Sequence, residues 1–279
     1  MLSKFKLLII LTSLILVVSC SNKDKKISEI VELDIELQMS NAYREGYLEF
    51  EKGEAIAAVK KFNEAELLFP QSPWAAKSAI MAAYVYYSQG YYGDAAYEIE
   101  RYLTTYPNHK DKPYAHFLLG MTFYETIVDE KKDLRSILDS KKQFEIIIKE
   151  YPTTEFAIDA KFKIDLITEI LAGKEMYIAR YYLDRSKWIP ALNRYKKVVD
   201  EYSTTIYAEE ALHRLVEIYY KIGLVEESKK YAALLGYNYL SSDWYEQSYR
   251  VFNKNYSIQT SKINKKGNFI TRKFKALID

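Results

Sequence analysis

The sequence predicts an all-α chain, an α-solenoid of about five stacked helix pairs, and three observations predict it. Nine Gly and six Pro in 279 residues are few, and sparse punctuation favours long helices over many short strands. Apolar residues make up 49% and charged residues 28%, enough apolar surface for a packed core. The third observation is a recurring terminator: an aromatic residue, usually Pro, then Ser, Thr or Asn. It stands at Phe69-Pro70-Gln71-Ser72-Pro73-Trp74, Tyr106-Pro107-Asn108-His109, Tyr151-Pro152-Thr153-Thr154 and Tyr202-Ser203-Thr204-Thr205, with a weaker echo at Tyr239-Leu240-Ser241-Ser242. Pro stops a helix and a small hydroxyl or amide side chain caps the next one. The markers at 70, 107, 152, 203 and 240 lie 37, 45, 51 and 37 residues apart, the period range of repeat arrays.

Counting back from each marker, as position 32 of a unit of about 34 residues, aligns small residues with aromatic ones. The first unit places Gly46, Ala58, Phe62, Ala65 and Pro70 at positions 8, 20, 24, 27 and 32. The second gives Ala83, Tyr86, Ala95 and Pro107 at 8, 11, 20 and 32; the fourth gives Ala179, Tyr182, Ala191, Tyr195 and Ser203 at 8, 11, 20, 24 and 32. The fifth keeps Tyr219 at 11 but has Ser228 at 20. This resembles the tetratricopeptide pattern, in which small residues let paired helices approach and an aromatic fills the gap. The third unit departs: Gly120 and Phe144 are 24 apart instead of 16, so a charged connection (Val128 to Asp133) is inserted. After Pro152, Glu155–Leu183 has no Pro and only Gly173; it reads as one long helix or two abutting ones. Apolar Phe156, Ala160, Ile164, Ile167 and Leu171 follow the spacing of one helical face.

The N-terminus reads as an address. Lys4 and Lys6 precede an apolar run from Leu7 to Val18, which is shorter than the roughly 20 residues a membrane span needs and fits a signal peptide. The run ends Val17-Val18-Ser19-Cys20. This resembles the lipobox of bacterial lipoproteins, which implies cleavage of residues 1–19, diacylglycerol on the Cys20 sulfur and acylation of the new amine. Several acyl chains anchor far more firmly than one. Ser21 is not the Asp that resembles an inner-membrane retention signal, so the implied destination is the outer membrane. Residues 20–34 read as the lipidated Cys and a polar tether.

Cys20 is the only Cys, which excludes an intrachain disulfide and a Cys-rich metal site. His109, His116 and His213 are not at zinc-motif spacings and read as structural or surface residues. No metalloprotease, nucleophile-elbow, phosphate-loop or dinucleotide motif is present, and neighbouring carboxylates such as Glu64 and Glu66 diverge on a helix. The expectation is therefore no enzyme and no cofactor apart from the covalent lipid on Cys20. With residues 1–19 removed, basic and acidic residues balance at 38 each, which argues against bulk nucleic-acid binding. The balance hides an asymmetry. The stretch 253–279 has seven cations (Lys254, Lys262, Lys265, Lys266, Arg272, Lys273 and Lys275) against Asp279, net +6, so the remainder is net −6. This basic tail either leans on anionic lipid or is a disordered end, and reads as the latter.

In helix-pair repeats the first helix lines the concave face at positions 2, 5, 9 and 12. These are Ser40, Tyr43, Tyr47 and Phe50 in the first unit, Lys77, Ile80, Tyr84 and Tyr87 in the second, and Phe117, Met121 and Tyr124 in the third. The seven aromatics form a stripe suited to an extended peptide, whose apolar side chains they would contact and whose backbone their hydroxyls would satisfy. Helical spacing serves helix-to-helix packing equally well. The fourth unit has Gly173, Met176, Arg180 and Leu183 there, so the two halves of the array are expected to bind different things.

The combination resembles the BamD family of lipoproteins, components of the outer-membrane β-barrel assembly machine. The matching stretches are Gly46 through Trp74; Arg101-Tyr102-Leu103-Thr104-Thr105-Tyr106-Pro107 before Tyr114-Ala115; Leu171-Ala172-Gly173-Lys174-Glu175 with Ala179-Arg180-Tyr181-Tyr182; and Ala191-Leu192-Asn193-Arg194. They cover about residues 35–250, and their order and spacing, including the enlarged third unit, are more distinctive than any single repeat. The resemblance implies that repeats in 35–160 receive C-terminal segments of unfolded outer-membrane proteins. Repeats in 161–252 would dock on the POTRA domain of the barrel subunit BamA, beside other lipoproteins of the machine. Arg194 lies in the matching stretch and is a candidate for that docking, since a guanidinium pairs bidentately with a carboxylate; an intramolecular salt bridge is the other reading. A competing function is a periplasmic repeat lipoprotein coordinating cell-wall synthesis with division, although such proteins often carry a coiled-coil trimerisation segment absent here.

Overall fold

A computed structural model describes residues 34–127, 134–239 and 242–254. The signal peptide, Cys20, most of the tether, the 128–133 connection and the tail beyond Lys254 lie outside the described residues. Among the described residues there are eleven α-helices and no strand: α1 (Ile35–Glu51), α2 (Ala55–Leu68), α3 (Pro73–Ser88), α4 (Tyr92–Thr105), α5 (Lys112–Glu125), α6 (Leu134–Glu150), α7 (Glu155–Asp184), α8 (Trp188–Glu201), α9 (Ala208–Lys221), α10 (Val225–Asn238) and α11 (Asp243–Phe252). The chain forms two compact units, one up to Ser78 and one from Ala79 onward. In the first, α1 packs on α2 over fully buried Met39, Ala58, Phe62 and Ala65. In the second, α4 through α10 each pack on the next helix in the chain, and α11 lies on α9 and α10. This neighbour-on-neighbour pattern is that of a repeat stack. Its core is continuous from Ile137 through Phe144, Ile167, Met176, Tyr195 and Leu215 to Tyr219.

Size compensation at two recurring positions sets how the pairs fit. Position 24 is Phe62, Ile99, Phe144, Tyr195 and Ala232 in the five units, each at most 2% exposed. Position 8 is Gly46, Ala83, Gly120, Ala179 and Val216, so the smallest residues accompany Phe and the largest accompanies Ala. A Cβ added at Gly46 would lie 3.0 Å from the Phe62 ring, and one at Gly120 only 2.7 Å from Phe144. At position 20, three units carry Ala and two carry buried Ser140 and Ser228. Those hydroxyls donate across the pair to the carbonyls of Gly120 (2.8 Å) and Val216 (2.7 Å), the position-8 residues. Each therefore satisfies its own buried polar group. The aromatic of position 24 is replaced by Ile99 in the second unit and by Ala232 in the fifth, where the larger Val216 at position 8 leaves less room; Ala179 with Tyr195 shows that Ala at position 8 still admits a ring.

Two kinds of turn join the helices. At all five markers the aromatic carbonyl accepts the N–H three residues on: Phe69 from Ser72, Tyr106 from His109, Tyr151 from Thr154, Tyr202 from Thr205 and Tyr239 from Ser242. The expected capping holds at Ser72, whose hydroxyl accepts from Trp74 N–H at 3.0 Å, and at Ser242, which accepts from Tyr245 N–H at 3.1 Å. Thr154 and Thr205 instead donate their hydroxyls to the Tyr151 and Tyr202 carbonyls (2.8 and 2.7 Å), reinforcing the turn rather than capping. Within pairs, Gly53, Gly90 and Gly223 adopt φ of 83°, 76° and 85°, the left-handed region glycine enters freely. The equivalent residue between α7 and α8 is Ser186, at φ 56°.

The stretch after Pro152 resolves into one helix: α7 has 30 residues, about 45 Å long. The division expected at residue 160 falls inside it.

Candidate protein-interaction surfaces

Of the seven aromatics expected to form a stripe, three lie in the first compact unit and four in the second. In the first unit, Tyr43 is half-buried and packs edge-on against Phe62 (5.3 Å) and Trp74 (5.2 Å). The Lys77 ammonium lies 4.8 Å from both the Tyr43 and Trp74 ring centres, a cation shared between two π faces. Burial, and then neighbouring Tyr47, push the Tyr43 phenol pKa up. One turn further along α1, Tyr47 is 45% exposed, and Phe50 is half-buried. Tyr47 is therefore the most open ring of the set in this unit.

In the second unit, half-buried Tyr84 and Tyr87 lie 6.5 Å apart on α3, and Tyr87 meets Tyr92 of α4 at 6.0 Å. The Tyr114 phenol of α5 is shifted upward by burial first, then by Tyr84, Tyr87 and Asp111, which puts four tyrosines in one neighbourhood. Tyr114 also packs on Phe156 at 5.6 Å. Phe117 sits between Phe144 (5.8 Å) and Phe156 (5.6 Å), on the edge of the core. Tyr124 packs against the same core beneath the Lys163 ammonium, 4.8 Å from its ring. Ile80, a stripe position by spacing, is buried at 4%. Tyr84, Tyr87 and Tyr114 combine an apolar ring with a hydroxyl at a partly open surface, the composition of peptide-recognition sites. Trp74 and Phe156 were not read from position counting, since they stand at helix starts outside the counted positions, whereas Tyr114 stands at position 2 of the third unit and was left out of the stripe.

Arg194 and its surroundings form a different site. Glu175, on α7, is buried to 7% and accepts from Arg194 Nη1 at 2.9 Å and from Lys197 Nζ at 2.8 Å, both on α8. Burial alone would raise its pKa; the bonds from Lys197 and Arg194 outweigh that and hold it below the ordinary carboxylate range. Arg194 and Lys197 keep side-chain exposures of 40% and 36%. The intramolecular salt bridge therefore forms, and it leaves two cations on one carboxylate. They line an open cleft of about 400 Å³ with Tyr182, Ile189, Pro190 and Asn193. Ile189 is 59% exposed. The arrangement offers a fixed positive edge next to an apolar floor, suited to a partner carboxylate flanked by apolar side chains. Glu175 escaped sequence reading because it lies 19 residues from Arg194, on another helix.

Other charged groups of the later repeats bond across helices. Arg180 bonds Glu210 through Nε (3.2 Å) and Nη2 (2.5 Å), tying α7 to α9. All three His are hydrogen-bonded: His109 Nδ1 to the Tyr102 hydroxyl (2.8 Å), His116 Nδ1 to Gln143 Oε1 (2.9 Å) and His213 Nδ1 to Ser248 Oγ (2.9 Å). Among the described residues no cluster of His, Cys, Asp or Glu is grouped to hold a metal ion, and no helix is long and apolar enough to cross a membrane.

Residues 35–235 match the model of the YfiO outer membrane lipoprotein family. Outer membrane protein assembly factor BamD of Caulobacter vibrioides is 36% identical over 239 residues, 86% of this chain and 77% of that protein. Its namesake in Rickettsia prowazekii is 37% identical over 223 residues, 80% and 88% of the two chains. Among solved structures, the TPR2AB-domain:pHSP90 complex of yeast Sti1 superimposes with a TM-score of 0.46 at 12% identity, covering 77% of this chain and 82% of that one. With neighbour-stacked helix pairs and a family match across most of the described residues, the chain belongs to the YfiO/BamD family of outer-membrane protein assembly lipoproteins.

Proposed function

We propose that the chain is a non-catalytic scaffold, held by lipid on Cys20 at the periplasmic face of the outer membrane. Its N-terminal half, residues 35–160, receives C-terminal segments of unfolded outer-membrane proteins. Its C-terminal half, residues 161–252, docks on the POTRA domain of the barrel subunit BamA, together with other lipoproteins of the assembly machine. The observation that carries the first role is the set of tyrosines left partly open on first helices of pairs, 45%-exposed Tyr47 in the first unit and half-buried Tyr84 in the second among them. Large amphipathic rings on a rigid helix recognise apolar side chains at low entropic cost. The second role is supported by the Arg194–Lys197 edge over its cleft.

The test is binding of a synthetic peptide copying the last strand of an outer-membrane barrel protein, read by fluorescence polarisation. Combining Tyr47→Ala with Tyr84→Ala is expected to weaken it about tenfold, or ~1.4 kcal/mol, while circular dichroism stays helical. Unchanged affinity would reject the role of these rings. Arg194→Glu is expected to lower co-purification of the POTRA-bearing subunit, and full recovery would retire that contact. Cys20→Ala is expected to release the protein from membranes.

A further inference from the structure

The long helix α7 carries an unpartnered face of unusual composition. Taking 100° per residue, the residues within about 60° of Phe162 are Glu155, Ile158, Asp159, Phe162, Asp165, Leu166 and Glu169: four carboxylates, three apolar side chains and no cation. The opposite side of the same segment is the core side, with Ala157, Ala160 and Ile167 buried. Ile158 is 71% and Phe162 62% exposed, far more than large apolar residues in the packed interior. None of the four carboxylates is ion-paired among the described residues. Glu169 accepts from Ile206 N–H through Oε1 (3.3 Å), while its Oε2 is buried without a partner. Ile206 itself is 79% exposed. The face has a structural origin. Helices α6, α8 and α10 have 17, 14 and 14 residues against 30 for α7, so α8, folding back from Ser186, is too short to run alongside the first half of α7. Such an acidic, apolar-ridged strip fits a basic segment with its own apolar ridge.

The chain contains one. In the stretch 269–278, Phe269, Ile270, Phe274, Leu277 and Ile278 recur at intervals of four and three or four, with Arg272, Lys273 and Lys275 between them. We propose that this C-terminal segment docks on the Ile158–Phe162–Leu166 face of its own α7, with its cations against Asp159, Asp165 and the other carboxylates. Sixteen residues separate Phe252, the end of α11, from Phe269. Such a connection spans up to about 55 Å, more than the length of α7. The docking also accounts for the charge asymmetry, in which a net +6 tail follows a net −6 body.

The test uses the full-length lipoprotein in detergent with photoreactive benzoyl-phenylalanine replacing Phe162, an exposed position whose substitution leaves the core alone. Irradiation is expected to link position 162 to a peptide within 269–278 of the same chain. A mixture of isotopically labelled and unlabelled protein is expected to give no mixed-isotope products. Asp159→Lys with Asp165→Lys is expected to cut the yield severalfold, as is Arg272→Glu with Lys273→Glu and Lys275→Glu. Combining the two sets is expected to restore it, with unchanged helicity by circular dichroism throughout. High salt is expected to lower the yield of the native charge pairing. Links to other segments or to detergent only, mixed-isotope products, insensitivity to either charge reversal, or no recovery in the combined variant would each overturn the proposal.

Discussion

The spacing between α5 and α6 is set by the absence of one carbon atom. A methyl group at Gly120 would sit 2.7 Å from a fully buried Phe144 ring, and that ring has no free space to retreat into. Gly120→Ala is expected to destabilise the protein by about 1–3 kcal/mol in urea unfolding. Gly173→Ala provides the contrast, since its new Cβ would first meet the hydroxyl end of half-buried Tyr207 at 3.0 Å, and a cost under ~1 kcal/mol is expected. Ser186 holds the left-handed conformation that glycine holds in three equivalent turns, so Ser186→Gly is expected to stabilise by about 0.5–1 kcal/mol. Equal midpoints for Gly120→Ala and the parent, or a loss in Ser186→Gly, would contradict this account. Gly46, Gly120, Phe62 and Phe144 were legible because fixed spacing singles them out. Ser186 was not, since serine is ordinary in any turn, and neither was Glu175, whose role depends on which two helices face each other.

At the level of elements, α11 illustrates a short helix held by a titratable contact. It has ten residues, too few to be stable alone. Its Ser248 bonds buried His213 of α9 at 2.9 Å, Trp244 lies 5.1 Å from the same ring, and the Arg214 guanidinium covers Trp244 at 5.6 Å. Burial is the main cause that lowers the His213 pKa below 6.5; Glu217 (3.6 Å from Nε2) and Glu210 oppose it, and Arg214 adds to it. The unfolded chain therefore takes up a proton at higher pH than the folded one. The contribution to stability is full above about pH 6.5 and is lost as pH falls through the lowered folded value, by at most ~1.4 kcal/mol per pH unit. Hydrogen exchange in α11 is expected to accelerate as pH falls below 6.5, after correction for intrinsic rates. His213→Phe is expected to remove that pH dependence; its persistence would point to another group. Sequence reading found the helix boundaries through the aromatic terminators, but left α7 open as one helix or two. No local signal distinguishes a continuous helix from an abutting pair when neither Pro nor a cap interrupts it.

The second unit as a whole behaves, on this contact pattern, as a one-dimensional array in which each helix is stabilised chiefly by its neighbours in the chain. Its fold class was legible because a repeat announces itself many times, so that a few departures such as Ile99 or Ala232 leave the period visible. The interaction surfaces were less so, because spacing places a tyrosine on the first helix of a pair without deciding whether its ring faces the next helix or solvent. The array predicts a graded response to shortening. Ending the chain after Tyr239 removes α11 and uncovers His213 on α9 and Gly236 on α10, against which Tyr245 packs. The loss of that capping face is expected to lower the opening free energy of α9 and α10 by roughly 2–4 kcal/mol, the scale of burying one or two large side chains. Amide protection in α5 and α6 is expected to change by less than ~0.5 kcal/mol, because those helices share no partner with α11. Native-state hydrogen exchange on the shortened and parent chains reads both quantities at once. Uniform loss of protection from α5 to α10 would mean that the unit folds as one cooperative block, in which the proposed docking at α8 would be felt throughout.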